Sequence, residues 1–187
     1  MKSILAGISL ALGVLMTGQA LAAFTAADAA EVNAEAKTAL ATFNDDVTGA
    51  KVLIENAKGL LICPKITKGG FIIGVESGKC VMEVGGEAVD YYSNKAAKVG
   101  LLAGLQQYSM ILVFNDQAAL DKFREGDRKW EVGADLSVTV AKIGATGKLD
   151  TTKMQAAVVA LVFGEKGLMG DLSLEGSNFK KLTIEEK

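Results

Sequence analysis

Between residues 60 and 93 the chain repeats one short pattern, an apolar run followed by a break rich in glycine. Residues 60–63 end at Pro64, 71–75 follow Gly69-Gly70, 80–84 follow Ser77-Gly78, and 89–93 follow Gly85-Gly86. Runs this short are poor helices in isolation. They suit strands, and the glycines suit the tight turns between them. The pattern predicts an antiparallel meander, its first strand closed by Pro64 and its turns at 69–70, 77–78 and 85–86. Glycine supplies 21 of 187 residues, against a usual share of about 7 %. That surplus favours turns and close backbone contacts over a helical bundle.

The grammar on either side differs. Thr25 with Asp28 three residues on reads as a capping box. Val32, Ala36, Ala39, Leu40 and Phe43 then share one helical stripe, opposite Glu31, Asn33, Glu35 and Lys37. Asn44-Asp45-Asp46 interrupts it. A second helix is predicted over 48–58, burying Val47, Ala50, Ile54 and Ala57, with Gly59 as its stop. Further on, 110–114 is apolar on both faces and predicts a central strand. Asn115 or Asp116 caps a helix ending near Gly126, with Ala119, Leu120 and Phe123 inward. Trp130, Val132, Ala134, Leu136, Val138 and Val140 alternate with polar residues and glycine, which predicts a strand over 130–140. Residues 156–163 form another buried run, and 168–175 alternate again. The expectation is one α+β domain over 23–187, with N-terminal helices packed on a largely antiparallel, meander-rich or barrel-like sheet.

Residues 1–22 read as a secretory leader. Lys2 is its positive start, 4–16 its apolar run, and Ala20-Leu21-Ala22 its small-residue cleavage signal. Cleavage is expected between Ala22 and Ala23, with a periplasmic destination. A membrane anchor is the weaker alternative, because Thr17, Gly18 and Gln19 break the run before about 20 apolar residues accumulate. Without Lys2, 19 basic residues face 22 acidic ones, a net of −3. That balance argues against nucleic acid as a partner.

The chain has no histidine, which removes Ser-His-Asp and Cys-His chemistry and histidine-ligated zinc. A hydrolase here would need Ser-Lys or carboxylate chemistry. The candidates for it are weak. Residues 144–148, Gly-Ala-Thr-Gly-Lys, mimic a phosphate loop, but Lys142 stands where its first glycine belongs and Leu149 where Ser or Thr belongs. Gly100 and Gly104 have GxxxG spacing without an apolar 20-residue context. Glu131 and Asp135 would share the wet face of one strand, which a solvated surface explains as well as a catalytic pair. No cofactor, metal or catalytic residue is expected.

Cys63 and Cys80 fall on neighbouring predicted strands. In an oxidising compartment they should pair, the alternative being two separate buried thiols. Lys58, Lys65 and Lys68 cluster in sequence around the first strand, with Lys79 beside the next turn. They suit anionic lipid headgroups, or solvated strand ends that discourage edge pairing.

Residues 56–65, Asn-Ala-Lys-Gly-Leu-Leu-Ile-Cys-Pro-Lys, and 67–71, Thr-Lys-Gly-Gly-Phe, resemble the opening of the SYLF domain. Residues 89–92, 130–135, 167–169 and 172–177 resemble its later motifs. The resemblance covers roughly 47–182. It implies a non-catalytic lipid-binding module. Some eukaryotic members bind phosphoinositides or actin. Here the stretch before the domain is Ala-rich and acidic, so neither is expected. Paired cysteines at 63 and 80 resemble an exported bacterial branch.

The sequence therefore points to an exported, non-catalytic domain that binds anionic phospholipid or a membrane surface of the cell envelope. Lys58, Lys65 and Lys68 are its candidate charges, and the strand around Phe71 its apolar contact. A structural or protein-interaction module meeting an envelope protein is the alternative.

Overall fold

A computed structural model of the chain describes residues 23–70, 73–99, 104–143, 153–167 and 174–185. The expected leader and the 144–148 loop lie outside the described residues. So do Phe71, Gly100 and most of 168–175.

Helix α1 (Ala26–Asp46) starts as its capping box predicts: the Asp28 N–H donates to Thr25, and the Asp28 carboxylate accepts from the Thr25 backbone at 2.9 Å. Its buried residues are Ala29, Val32, Ala36, Ala39 and Phe43. Helix α2 (Ala50–Asn56) is shorter than expected and ends at Ala57. Gly59 is not its stop but the first residue of strand β1, where a Cβ would lie 2.8 Å from the Leu120 side chain.

Four long strands follow, β1 (Gly59–Gly70), β2 (Ile73–Val84), β3 (Glu87–Val99) and β4 (Gly104–Phe114). After helix α3 (Gln117–Arg124) come β5 (Trp130–Glu131), β6 (Thr139–Lys142), β7 (Val158–Gly167) and β8 (Asn178–Leu182). They form one curled sheet in the order β5-β8-β3-β2-β1-β4-β7-β6. Every pairing is antiparallel except β6 with β7. The expected α+β architecture, N-terminal helices on a meander-rich curled sheet, is what the chain adopts.

The sheet buries both faces. α1 covers one, where Phe43 meets Phe163 with ring centroids 5.0 Å apart. The other wraps an aromatic core around Phe123, whose ring lies 4.9 Å from Tyr92, 5.2 Å from Phe114 and 5.9 Å from Trp130. Asp116 caps α3 by accepting from the Ala119 N–H at 2.9 Å, which holds Leu120 and Phe123 in this core.

Four further sequence expectations need correction. Gly69-Gly70 is not a turn but the end of β1, where Gly69 pairs with Val75 and Gly70 with Gly74. Pro64 does not end a strand. β1 runs through it, and the register against β2 and β4 shifts between Cys63 and Ile66, the mark of a β-bulge. A bulge is one of the few strand positions that tolerate a residue without an N–H. Ser77-Gly78 is not a turn but the middle of β2. A Cβ on Gly78 would sit 2.9 Å from the Lys65 carbonyl oxygen, so the glycine serves a close approach. Finally, 130–140 is not one strand. The Asp135 carboxylate accepts from the Glu131 N–H at 3.1 Å and Gly133 has φ +94°, so the chain turns between β5 and β6.

Cys63 and Cys80 form a disulfide across β1 and β2, with Cα atoms 4.1 Å apart and no solvent exposure. A loop of this length contributes about 3 kcal/mol in the chain-entropy model. Reduction, or the double substitution Cys63→Ala/Cys80→Ala, should lower the melting temperature by roughly 6–12 °C for a domain of this size. Thermal denaturation followed by circular dichroism with and without reductant checks this; an unchanged midpoint would deny the disulfide a stabilising role.

Candidate functional site

Side chains alternate across a strand, and one inserted residue exchanges the faces of everything after it. Before the β1 bulge, Leu61 and Cys63 face the aromatic core; after it, Ile66 does. Lys68, two residues past Ile66, therefore points inward, and Lys65 points to the α1 side. Lys68 is 2 % exposed, with Glu76 and Gln106 as its register neighbours. Glu76 is 3 % exposed and accepts from the Ser177 hydroxyl at 3.3 Å. Asn94 and Tyr108 are buried on the same face. Burial, and then the Glu76 carboxylate, push the Tyr108 phenol well above its ordinary range, so it stays neutral.

The outer face of the same strand ends is apolar and bare. Val75, Gly69 and Leu105 form one row across β2, β1 and β4. Val75 and Leu105 are each 62 % exposed, and Ile73 is 65 % exposed. Beyond them the connecting segments read Phe71-Ile72 and Gly100-Leu101-Leu102-Ala103 in sequence. At this end the sheet is polar inside and apolar outside, the reverse of an ordinary soluble sheet face.

Behind the apolar row lie polar and basic rows. The first holds Lys95, Ser77, Thr67, Gln107 and Lys166 in successive register, and the next pairs Lys79 with Lys65. Lys79 is tied to Asp28 of α1 at 2.5 Å. That hydrogen bond, with those from Thr25, holds the Asp28 carboxyl well below the usual carboxylate range. The pair's contribution is complete at neutral pH and is lost only as pH falls through this lowered value.

The lysines chosen from sequence do not form one patch. Lys58 and Lys65 are exposed, but Lys58 precedes the opposite end of β1 from Lys68. Ten residues of strand separate those two, roughly 33 Å at full extension. Lys65 stands near the apolar row, and Lys68 is interior. Lys166 and Leu105 were not singled out from sequence. Leu105 carried no signal beyond its apolar neighbours. Lys166 reaches its row through a second bulge, where β7 shifts register beside Gly164 at φ +65°.

That bulge lies across β4 from the one in β1. The Ser109 hydroxyl of β4 donates to the Pro64 carbonyl at 2.7 Å, satisfying an acceptor next to the break. Between the two bulges and α1 opens a groove of about 340 Å³, floored by Ala39 and Phe163 and edged by Lys65, Lys166 and Glu35.

Residues 95–185 match the Ysc84 family model, described as Las17-binding protein actin regulator. Residues 95–185 are thus similar to the Ysc84 (SYLF) family. A protein of Aeromonas veronii described as beta cell expansion factor A is 27 % identical over 150 residues, covering 79 % of this chain and 55 % of that protein. The chain spans about half the length of that curated relative.

The face assignment makes a direct prediction. Lys68→Ala removes one member of a buried polar group on the face that also holds Glu76, which should cost about 2–3 kcal/mol. Lys65→Ala changes an exposed side chain and should stay within about 0.5 kcal/mol. Urea denaturation of both variants checks this; equal effects would place the two lysines on the same face.

Proposed function

We propose that this protein is an exported, non-catalytic module that docks on anionic membrane surfaces through the open end of its sheet. The reversal of polarity there carries the reading. Three large apolar side chains, Ile73, Val75 and Leu105, stand exposed while Lys68 and Glu76 are buried behind them. Water penalises that arrangement; a hydrocarbon boundary rewards it, and apolar-out with polar-in is the alternation of strands that face lipid.

Charge supports the same orientation. The chain without its expected leader is net negative, so attraction must be local. Lys65, Lys95 and Lys166 occupy the rows behind the tip, and each contributes about 1 kcal/mol near an anionic surface. Lys58 lies away from this end and Lys68 is interior, so the docking charges are Lys65 with its new neighbours. Phe71 remains a candidate apolar contact by its position in the sequence between β1 and β2. Lipid binding is a general property of the SYLF family, and the disulfide is compatible with export past the expected Ala22–Ala23 cleavage site. Actin regulation, which the family description names, is not carried over to a chain whose N-terminal stretch is Ala-rich and acidic.

Flotation with phosphatidylglycerol vesicles tests this. Wild type should float at low salt, and high salt should weaken binding because the Debye length falls to about 3 Å at 1 M. The double variant Val75→Asp/Leu105→Asp should stay at the bottom of the gradient with its melting temperature kept, since both side chains are exposed. Wild type failing to float would overturn the membrane reading in favour of a protein partner. A double variant floating like wild type would move the contact elsewhere.

A further inference from the structure

From the groove between α1 and the two bulges, we infer a binding site for one zwitterionic phosphate–ammonium headgroup, of the phosphoethanolamine ester class. The inference rests on the membrane-contact reading for its depth and on the groove's own chemistry for its ligand. Both bulges are one-residue irregularities in otherwise regular strands, and each sets a lysine on the α1 side, Lys65 in β1 and Lys166 in β7. Bulges of this kind recur where a strand must re-aim a side chain for function.

The groove has opposite charges on opposite walls. The sheet wall presents Lys65 and Lys166; the helix wall presents Glu35, with Glu31 along the adjoining stretch beside Lys79. Lys79 is closed onto Asp28. Lys65, Lys166 and Glu35 have no ion-pair partner within 4 Å among the described residues. Cations and anion thus face one cleft of about 340 Å³ without closing on each other. A simple anion would satisfy the lysines and be repelled by Glu35. A group with a phosphate at one end and a primary ammonium at the other satisfies both walls, the phosphate taking charge-assisted hydrogen bonds from the lysines and the ammonium donating to Glu35. A quaternary ammonium cannot donate, which separates ethanolamine from choline esters.

The depth agrees for Lys166. The Lys166 row lies two residues behind Leu105 and the Lys65 row four residues behind Gly69, roughly 7 and 13 Å along the strands. With the apolar tip at the hydrocarbon boundary and the strands upright, the Lys166 row reaches the outer part of the headgroup layer, about 5–8 Å thick on each side of a bilayer, and the Lys65 row stands about 5 Å outside it.

The test titrates the full-length mature protein with soluble glycerophosphoethanolamine, glycerophosphocholine and inorganic phosphate, read residue by residue by NMR. Glycerophosphoethanolamine should shift the amides of Glu35, Lys65, Ser109 and Lys166 and bind more tightly than the other two. Lys65→Ala/Lys166→Ala should weaken it by roughly tenfold or more. Glu35→Gln should weaken glycerophosphoethanolamine while leaving phosphate equal or tighter. Absence of shifts at these residues overturns the site. Equal effects of Glu35→Gln on all three probes, or none on any, overturn the zwitterion assignment. Vesicle flotation runs separately: a protein that floats but ignores glycerophosphoethanolamine loses the groove alone, and one that binds it without floating loses the tip reading alone.

Discussion

The β-bulge at Pro64 decides which way half the central strand faces. One extra residue between Cys63 and Ile66 exchanges inside for outside along the rest of β1. Without it, Lys65 would enter the core and Lys68 would meet α1. With it, the charged side chain that goes inward is the one opposite Glu76, and Lys65 is left at the rim. The break is held on three sides. The Cys63–Cys80 disulfide ties it to β2, the Ser109 hydroxyl holds the Pro64 carbonyl from β4, and Gly78 leaves room for the Lys65 carbonyl. β1 is paired on both sides, so its register passes to the sheet on either flank.

The rest of the architecture fixes that strand's surroundings. α1 lies on the outer face through Val32, Ala36 and Phe43, and its start is pinned by Asp28 to Lys79. The aromatic core around Phe123 fills the inner face towards one end of the strands. At the other end, polar side chains replace it inside while apolar ones remain outside. That inversion at one end of an otherwise well-filled sheet is the observation behind the proposed membrane contact.

Much of this was legible in the sequence because the signals were local and redundant. α1 announced itself by a cap and a continuous apolar stripe. The strands around Cys63 and Cys80 stood out by glycine breaks and apolar runs, though their direct pairing needs 77–78 to be strand and not the expected turn. The candidate site was legible only in part. Lys65 and Lys68 look like neighbours on paper, but an odd spacing of three puts them on opposite faces of a strand. Pro64 reads as a stop, because nothing in a single chain distinguishes a strand end from a bulge that the neighbouring strands absorb. Residues 130–140 alternated like a strand, yet the Asp135 carboxylate and Gly133 turn the chain there. Leu105 and Lys166 became interpretable only once their register partners were known.

Entry of the inverted sheet end into the lipid boundary, as proposed, can be read by fluorescence. The native fluorophore Trp130 is 1 % exposed in the opposite core, so a second tryptophan at the tip reports independently. Leu105→Trp should show a blue-shifted emission on adding phosphatidylglycerol vesicles, and lipids brominated in the acyl chain should quench it while Trp130 keeps its intensity. Protein that binds the same vesicles while Trp at 105 keeps its emission in water, unquenched, would contradict the account.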